Sequence, residues 1–90
     1  MTIVINKQYV LTTEHPASSY GQPVLVRDGI AYGAGDVIDD GIFGLLPAAD
    51  VVRNFAQTEQ LKAAMTHSAA GLSAAEHQFV HSFLAQGGKK

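Results

Sequence analysis

DGIAYGAGDVIDDGIFGLLPAAD, running from Asp28 to Asp50, is the stretch that decides how this chain folds. It holds five Asp and five Gly and no Lys or Arg. Before it lie β-branched and aromatic runs broken by turn formers; after it the apolar residues recur at helical spacing. Strands first and helices second predict an α+β fold: a small antiparallel sheet from the N-terminal half packed against two or three C-terminal helices. The alternation of strand and helix that a parallel sheet needs for its crossovers is missing.

At the start of the stretch, Asp28-Gly29 is flanked by VLVR and IAYG, a two-residue hairpin signal. Gly29 accepts a positive φ without a Cβ clash, and Asp28 tolerates one. The turn sets Arg27 opposite Ile30, Val26 opposite Ala31 and Leu25 opposite Tyr32. Leu25, Ile30 and Tyr32 then share one face. Val24, Val26, Ala31 and Gly33 form the other, which is flat and small enough to be the face a helix covers. The phrase Asp28-Gly29-Ile30 recurs as Asp40-Gly41-Ile42. Asp39-Asp40-Gly41 is therefore expected to turn a second hairpin, between Val37-Ile38 and Ile42-Phe43. One recurrence of three residues reflects shared turn chemistry, not a repeat architecture.

Working toward the N-terminus, TEHPASSYGQP (residues 13 to 23) is a loop punctuated by Pro, Gly and Ser. TIVINKQYVLT (residues 2 to 12) suits a strand. As one strand it places Ile3, Ile5, Tyr9 and Leu11 on a shared face interrupted by Lys7; a short hairpin turning at Asn6-Lys7 is the alternative. Working toward the C-terminus, Pro47 and Asp50 suit the first turn of a helix. Val51, Val52 and Phe55 give that helix an apolar side, and Leu61, Met65, Ala69 and Leu72 continue at near-helical spacing. Residues 48 to 69 read as one helix or as two, with Thr58 the cap of the second. The last helix opens on a capping box, Ser73 with Glu76, preceded by Leu72 as the staple. Ala75, Phe79, Val80 and Phe83 make its apolar stripe. Gly87-Gly88 ends it, so residues 1–86 form one domain and 87–90 a frayed tail.

Composition bounds the function. The chain has 90 residues, 47% of them apolar and only 16% charged, with no Cys. Soluble domains average about 25% charged residues. Thirteen of the apolar residues are Ala, which bury little area. A short chain without disulfides gains stability most readily from a partner subunit, so self-association is expected, most simply as a symmetric dimer. A net charge of −2 and scattered cations argue against tight nucleic-acid binding, which needs several phosphate-neutralising groups. No apolar run approaches the roughly 20 residues that span a bilayer. No signal-peptide pattern is visible at the start, and the cytoplasm is the expected compartment.

The candidate chemistry is sparse. His77 and His81 are spaced as metal ligands on one helix face, yet two ligands make no site, and solvent-facing imidazoles account for them. Asp36, Asp39 and Asp40 carry carboxylates for a hard cation, but Ile38 and Pro47 stand where a calcium loop needs oxygen ligands; turn formation accounts for the aspartates. Gly33-Ala34-Gly35 lacks both a third glycine at 38 and a following Lys-Ser or Lys-Thr, which excludes the phosphate-loop patterns. Ser18, Ser19 and His15 share a loop, with no nucleophile elbow around them. A helix-turn-helix regulator over residues 58 to 86 is one alternative, although its reading helix carries no Lys or Arg. A small metal-dependent hydrolase using the aspartates and histidines is another. The reading that remains is a non-enzymatic interaction module, a regulator or inhibitor, needing no cofactor and pairing with itself and with other proteins. Its contact surface is expected at Ile42, Phe43, Leu45 and Leu46 with an acidic rim of Asp36, Asp39 and Asp40, or along Ala63, Ala64, Ala69 and Ala70, where small side chains allow close approach.

Overall fold

The computed structural model describes residues 1–39, 41, 42, 44–66 and 71–87. Six short strands are followed by two helices: β1 (Thr2–Val4), β2 (Tyr9–Thr12), β3 (Val24–Arg27), β4 (Ile30–Tyr32), β5 (Val37–Asp39), β6 (Leu45–Pro47), α1 (Ala48–Thr66) and α2 (Ala74–Gly87). β1 to β4 form an antiparallel meander in sequence order, and β5 pairs with β6 in a separate ribbon. The class is α+β. Two helices, rather than three, complete it among the described residues.

Residues 2–12 form a hairpin rather than one strand. Asn6 makes the turn: its side-chain oxygen accepts the Gln8 and Tyr9 N–H groups at 2.9 and 3.2 Å, and the Ile5 N–H donates to the Tyr9 carbonyl at 3.0 Å. The parity of the sequence survives this reversal, so Ile3, Ile5, Tyr9 and Leu11 are all buried. At the second turn Asp28 and Gly29 both have positive φ, 52° and 79°. This is the backbone a two-residue type I′ loop requires. The register is as expected: Arg27 opposite Ile30, Val26 opposite Ala31, Leu25 opposite Tyr32. Between these hairpins, the 13–23 loop contains a 3₁₀ turn at Ser19–Gly21.

The helices lie on the face opposite to the one the flat Val24, Val26, Ala31 set suggested. Ile3, Leu11, Leu25 and Tyr32 form a cross-strand row, and it is Leu11 and Leu25 that are fully buried. The row Val4, Val10, Val26, Ala31 is turned to the other side, where Val4 is exposed and the rest are half-buried. Bulk explains the choice, because the larger side chains remove more apolar area from water than valine and alanine.

The second hairpin exists with a later return strand than expected. β5 pairs with residues 45–47, not with Ile42-Phe43: Val37 faces Pro47, Ile38 faces Leu46 and Asp39 faces Leu45. Five connecting residues separate the strands, and of these Asp40 and Phe43 lie outside the described residues. Pro47 closes β6 instead of opening the helix. α1 starts at Ala48, whose N–H donates to the Asp36 carbonyl at 2.9 Å.

α1 is continuous through Thr66, so Thr58 caps nothing; its hydroxyl donates back to the Asn54 carbonyl at 2.9 Å. Val51 and Val52 are buried and Phe55 is half-buried. Leu61 and Met65, expected on the core side, are exposed. A 19-residue helix is about 28 Å long, and its buried residues, Ala48, Val51 and Val52, all lie in the first two turns, so its distal half adds no buried residue to the core. Ala69, the next residue of that stripe, lies outside the described residues.

The capping box of α2 forms. Glu76 N–H donates to Ser73 Oγ at 3.2 Å, and Ser73 N–H donates to Glu76 Oε1 at 2.9 Å. Phe83 and Val80 are buried, while Phe79 is only partly covered and Ala75 is exposed. The apolar stripe is thus rotated from Ala75 and Phe79 toward Val80, because alanine gains little from burial. α2 runs through Gly87, one residue past the expected domain end, and 88–90 lie outside the described residues.

Candidate functional site

The β5–β6 ribbon sorts its side chains by strand alternation. Ile38 and Leu46, opposite one another, turn inward: Ile38 is buried and Leu46 packs on the core. Their neighbours Val37, Asp39, Leu45 and Pro47 therefore turn outward. Leu45 is 75% exposed and Ile42, in the connecting loop, 81%. The expected apolar quartet is split: Ile42 and Leu45 stand in solvent, Leu46 does not, and Phe43 lies outside the described residues.

The aspartates are engaged locally. Asp36 Oδ2 accepts the Gly33 N–H at 2.7 Å, and Asp39 Oδ1 accepts the Gly41 N–H at 2.9 Å. Asp40 lies outside the described residues. Among the described residues no group of three or more His, Asp and Glu is placed to hold a metal ion. Asp39 stands opposite Leu45 on the outward side of the ribbon, whereas the Asp36 carboxylate is turned back to the Gly33 N–H.

Sequence reasoning missed Arg27, whose side chain bonds the ribbon to the four-stranded sheet. Arg27 Nη1 donates to the Asp39 carbonyl at 2.9 Å and to Tyr9 Oη at 3.4 Å. Its guanidinium carbon lies 5.7 Å from the Tyr9 ring centroid, within cation–π range. Arg27 thus bridges the four-stranded sheet to β5. The signal available in the sequence was an Arg on the same strand face as Leu25, where an apolar residue is the norm.

Beside the ribbon a cleft of about 370 Å³ opens between the β1–β2 turn and α1. Ile5, Tyr9, Leu46, Val51 and Phe55 supply apolar walls, and Asn6 and Asn54 supply polar groups. Among the described residues no charged side chain lines it. Lys7 follows Asn6 in the chain and makes no ion pair with any described residue. Arg53 precedes Asn54 and is paired with Asp50 at 2.6 Å. The cleft is assembled from elements distant in sequence, so no local pattern announces it.

His77 and His81 are exposed on α2 beside a shallow depression shared with Ala74 and Gln78. His77 Nε2 lies 3.5 Å from Gln60 Nε2 on α1. His67 lies outside the described residues. In the 13–23 loop, His15 Nδ1 accepts the Ala17 N–H at 3.0 Å, which leaves Nε2 to donate to the Gly29 carbonyl at 2.9 Å. Ser18 Oγ donates to the Gln22 carbonyl. Both ring nitrogens and this hydroxyl therefore bond backbone groups, of the loop and of the β3–β4 turn, rather than each other. On the small-residue face of α1, Ala63 is half-buried and Ala64 exposed, and Ala69 and Ala70 lie outside the described residues. No described helix is long and apolar enough to cross a membrane. Compared with protein families, curated proteins and solved structures, the chain matches none at a significant level.

Proposed function

We propose that this chain is a small non-enzymatic protein-interaction module that works as a homo-oligomer, with the outer face of the β5–β6 ribbon as its contact surface. A regulator or inhibitor that acts by occupying a partner fits this description. The observation that carries the reading is the split of the ribbon: Ile38 and Leu46 serve the chain's own core, while Leu45 and Ile42 are left in water at 75% and 81% exposure. Two large aliphatic residues held outward on a hydrogen-bonded ribbon and its loop cost solubility and contribute nothing to the described core. Burying them between proteins recovers about 1.5–3 kcal/mol for each side chain fully covered. The low proportion of charged residues supports the same reading.

Sedimentation velocity tests it. Wild-type protein at micromolar concentration should sediment as more than one chain, and Leu45→Lys should sediment as one while keeping the wild-type circular dichroism spectrum and a cooperative melt, with a melting temperature lowered only by the lost association. A wild-type protein that stays monomeric at several hundred micromolar would refute the reading.

A further inference from the structure

We propose that Gln60 of α1 and His77 and His81 of α2 form a zinc-binding site that clasps the two helices together. The site stands apart from the ribbon and does not depend on the interaction-module reading. The sequence offers two imidazoles about one helical turn apart, which is a chelate but not a complete site. The fold adds the third group. Gln60 carries its terminal amide across from α1 to within 3.5 Å of His77 Nε2. Ligands bound tetrahedrally at about 2.0–2.1 Å from one zinc ion stand about 3.3 Å from each other. The two helices are therefore already spaced close to the edge of such a tetrahedron.

The donor atoms are available. An amide nitrogen only donates, so His77 Nε2 is the acceptor of the contact with Gln60 and its lone pair faces α1. The His81 ring makes no hydrogen bond or ion pair with any described residue, and it lines the same shallow depression as His77. A half-turn about the terminal torsion of Gln60, a soft and nearly two-fold rotation, presents Oε1 in place of Nε2. Two imidazoles and one carboxamide oxygen leave the fourth position to water. Imidazole nitrogens suit zinc and its late first-row neighbours, whereas magnesium and calcium prefer oxygen ligands. Fixed charge does not oppose the ion: no Lys or Arg occurs from Ala63 to Gly88, and Lys62 is paired with Glu59 at 3.4 Å. Because its ligands come from both helices, the ion binds the folded chain better than the unfolded one and stabilises it.

The experiment is a titration of the metal-free chain with zinc chloride, read by calorimetry and by the thermal melt, with magnesium chloride as the reference. Wild type should bind one zinc ion per chain and melt at a higher temperature with it; magnesium should do neither. His77→Ala and His81→Ala should each weaken zinc binding at least about tenfold. Gln60→Leu should weaken it at least about threefold, and Gln60→Glu, which puts a charged oxygen at the same place, should tighten it. All three residues are exposed, so every variant should keep the wild-type circular dichroism without metal. Histidine variants that bind zinc like wild type, or a wild type that responds equally to magnesium, overturn the site. Histidine dependence with no response to either Gln60 variant overturns the clasp and reduces the site to a chelate on α2 alone.

Discussion

Replacing Phe83 by alanine tests the packing of the whole molecule, because Phe83 is the largest of the fully buried side chains. It reaches the core from the middle of α2 and belongs to the same buried cluster as Leu11 and Leu25 of the sheet and Val52 of α1. Removing its ring forfeits the transfer free energy of the ring and leaves a cavity between layers that cannot close without moving a helix. The expected loss is about 3–5 kcal/mol. A domain of this length has roughly 5–13 kcal/mol of stability in total, so the variant should retain a fold but a fragile one. Phe79, one turn earlier, is only partly covered, and alanine there should cost about 1–2 kcal/mol. Urea denaturation distinguishes them. With a slope of about 1.5 kcal/mol per molar, Phe83→Ala should lower the midpoint by roughly 2–3 M and Phe79→Ala by about 1 M, with slopes unchanged. This packing is refuted if Phe79→Ala costs as much as Phe83→Ala or more.

Four further substitutions probe the elements that set the fold and place the ribbon. Gly29→Ala should cost about 1–2 kcal/mol purely through the backbone, since φ is +79° and no atom lies within 4 Å of the added methyl group; Gly29→Asn should recover part of this in the same thermal melt. Ser73→Ala should cost about 1 kcal/mol and lower the helical circular dichroism, while Ser82→Ala, whose hydroxyl bonds the Gln78 carbonyl within the helix, should be near neutral; equal losses would contradict the cap. Arg27→Lys should leave the sheet folded but speed amide exchange over 37–39 and 45–47, because an ammonium cannot reproduce the bonds to the Asp39 carbonyl and Tyr9; unchanged exchange would deny Arg27 its bridging role. Gly71→Ala should destabilise by about 1–3 kcal/mol, because its Cβ would lie 2.8 Å from that of Ala63, and Ala63→Gly should rescue it in a double-mutant cycle.

Local chemistry was legible in the sequence wherever the partner groups lie within a few residues. The Asp28-Gly29 turn and its register, the Ser73–Glu76 capping box, and the inward set Ile3, Ile5, Tyr9 and Leu11 all follow from spacing alone. Expectations failed where two options differed only in their distant surroundings. Ile42-Phe43 and Leu45-Leu46 are equally good return strands for Val37-Ile38, and pairing with 45–47 prevails in a register that turns Leu46 inward with Ile38. Leu61 and Met65 keep a helical rhythm with Val51 and Phe55, and only the tertiary packing decides that both stand in solvent.

The sequence by itself determined that strands precede helices, where the Asp28-Gly29 turn falls and where α2 begins, because these depend on backbone preferences and hydrogen bonds between near neighbours. It also supplied the apolar residues around position 42 without saying which would be exposed. Tertiary structure alone decided which sheet face receives the helices, that Arg27 ties the sheet to the ribbon, and that Ile5, Tyr9, Leu46, Val51 and Phe55 enclose a cleft. Each of these depends on residues far apart in the chain meeting in space. Burial is a property of the whole packed arrangement, and an exposed leucine has the same local spacing as a buried one.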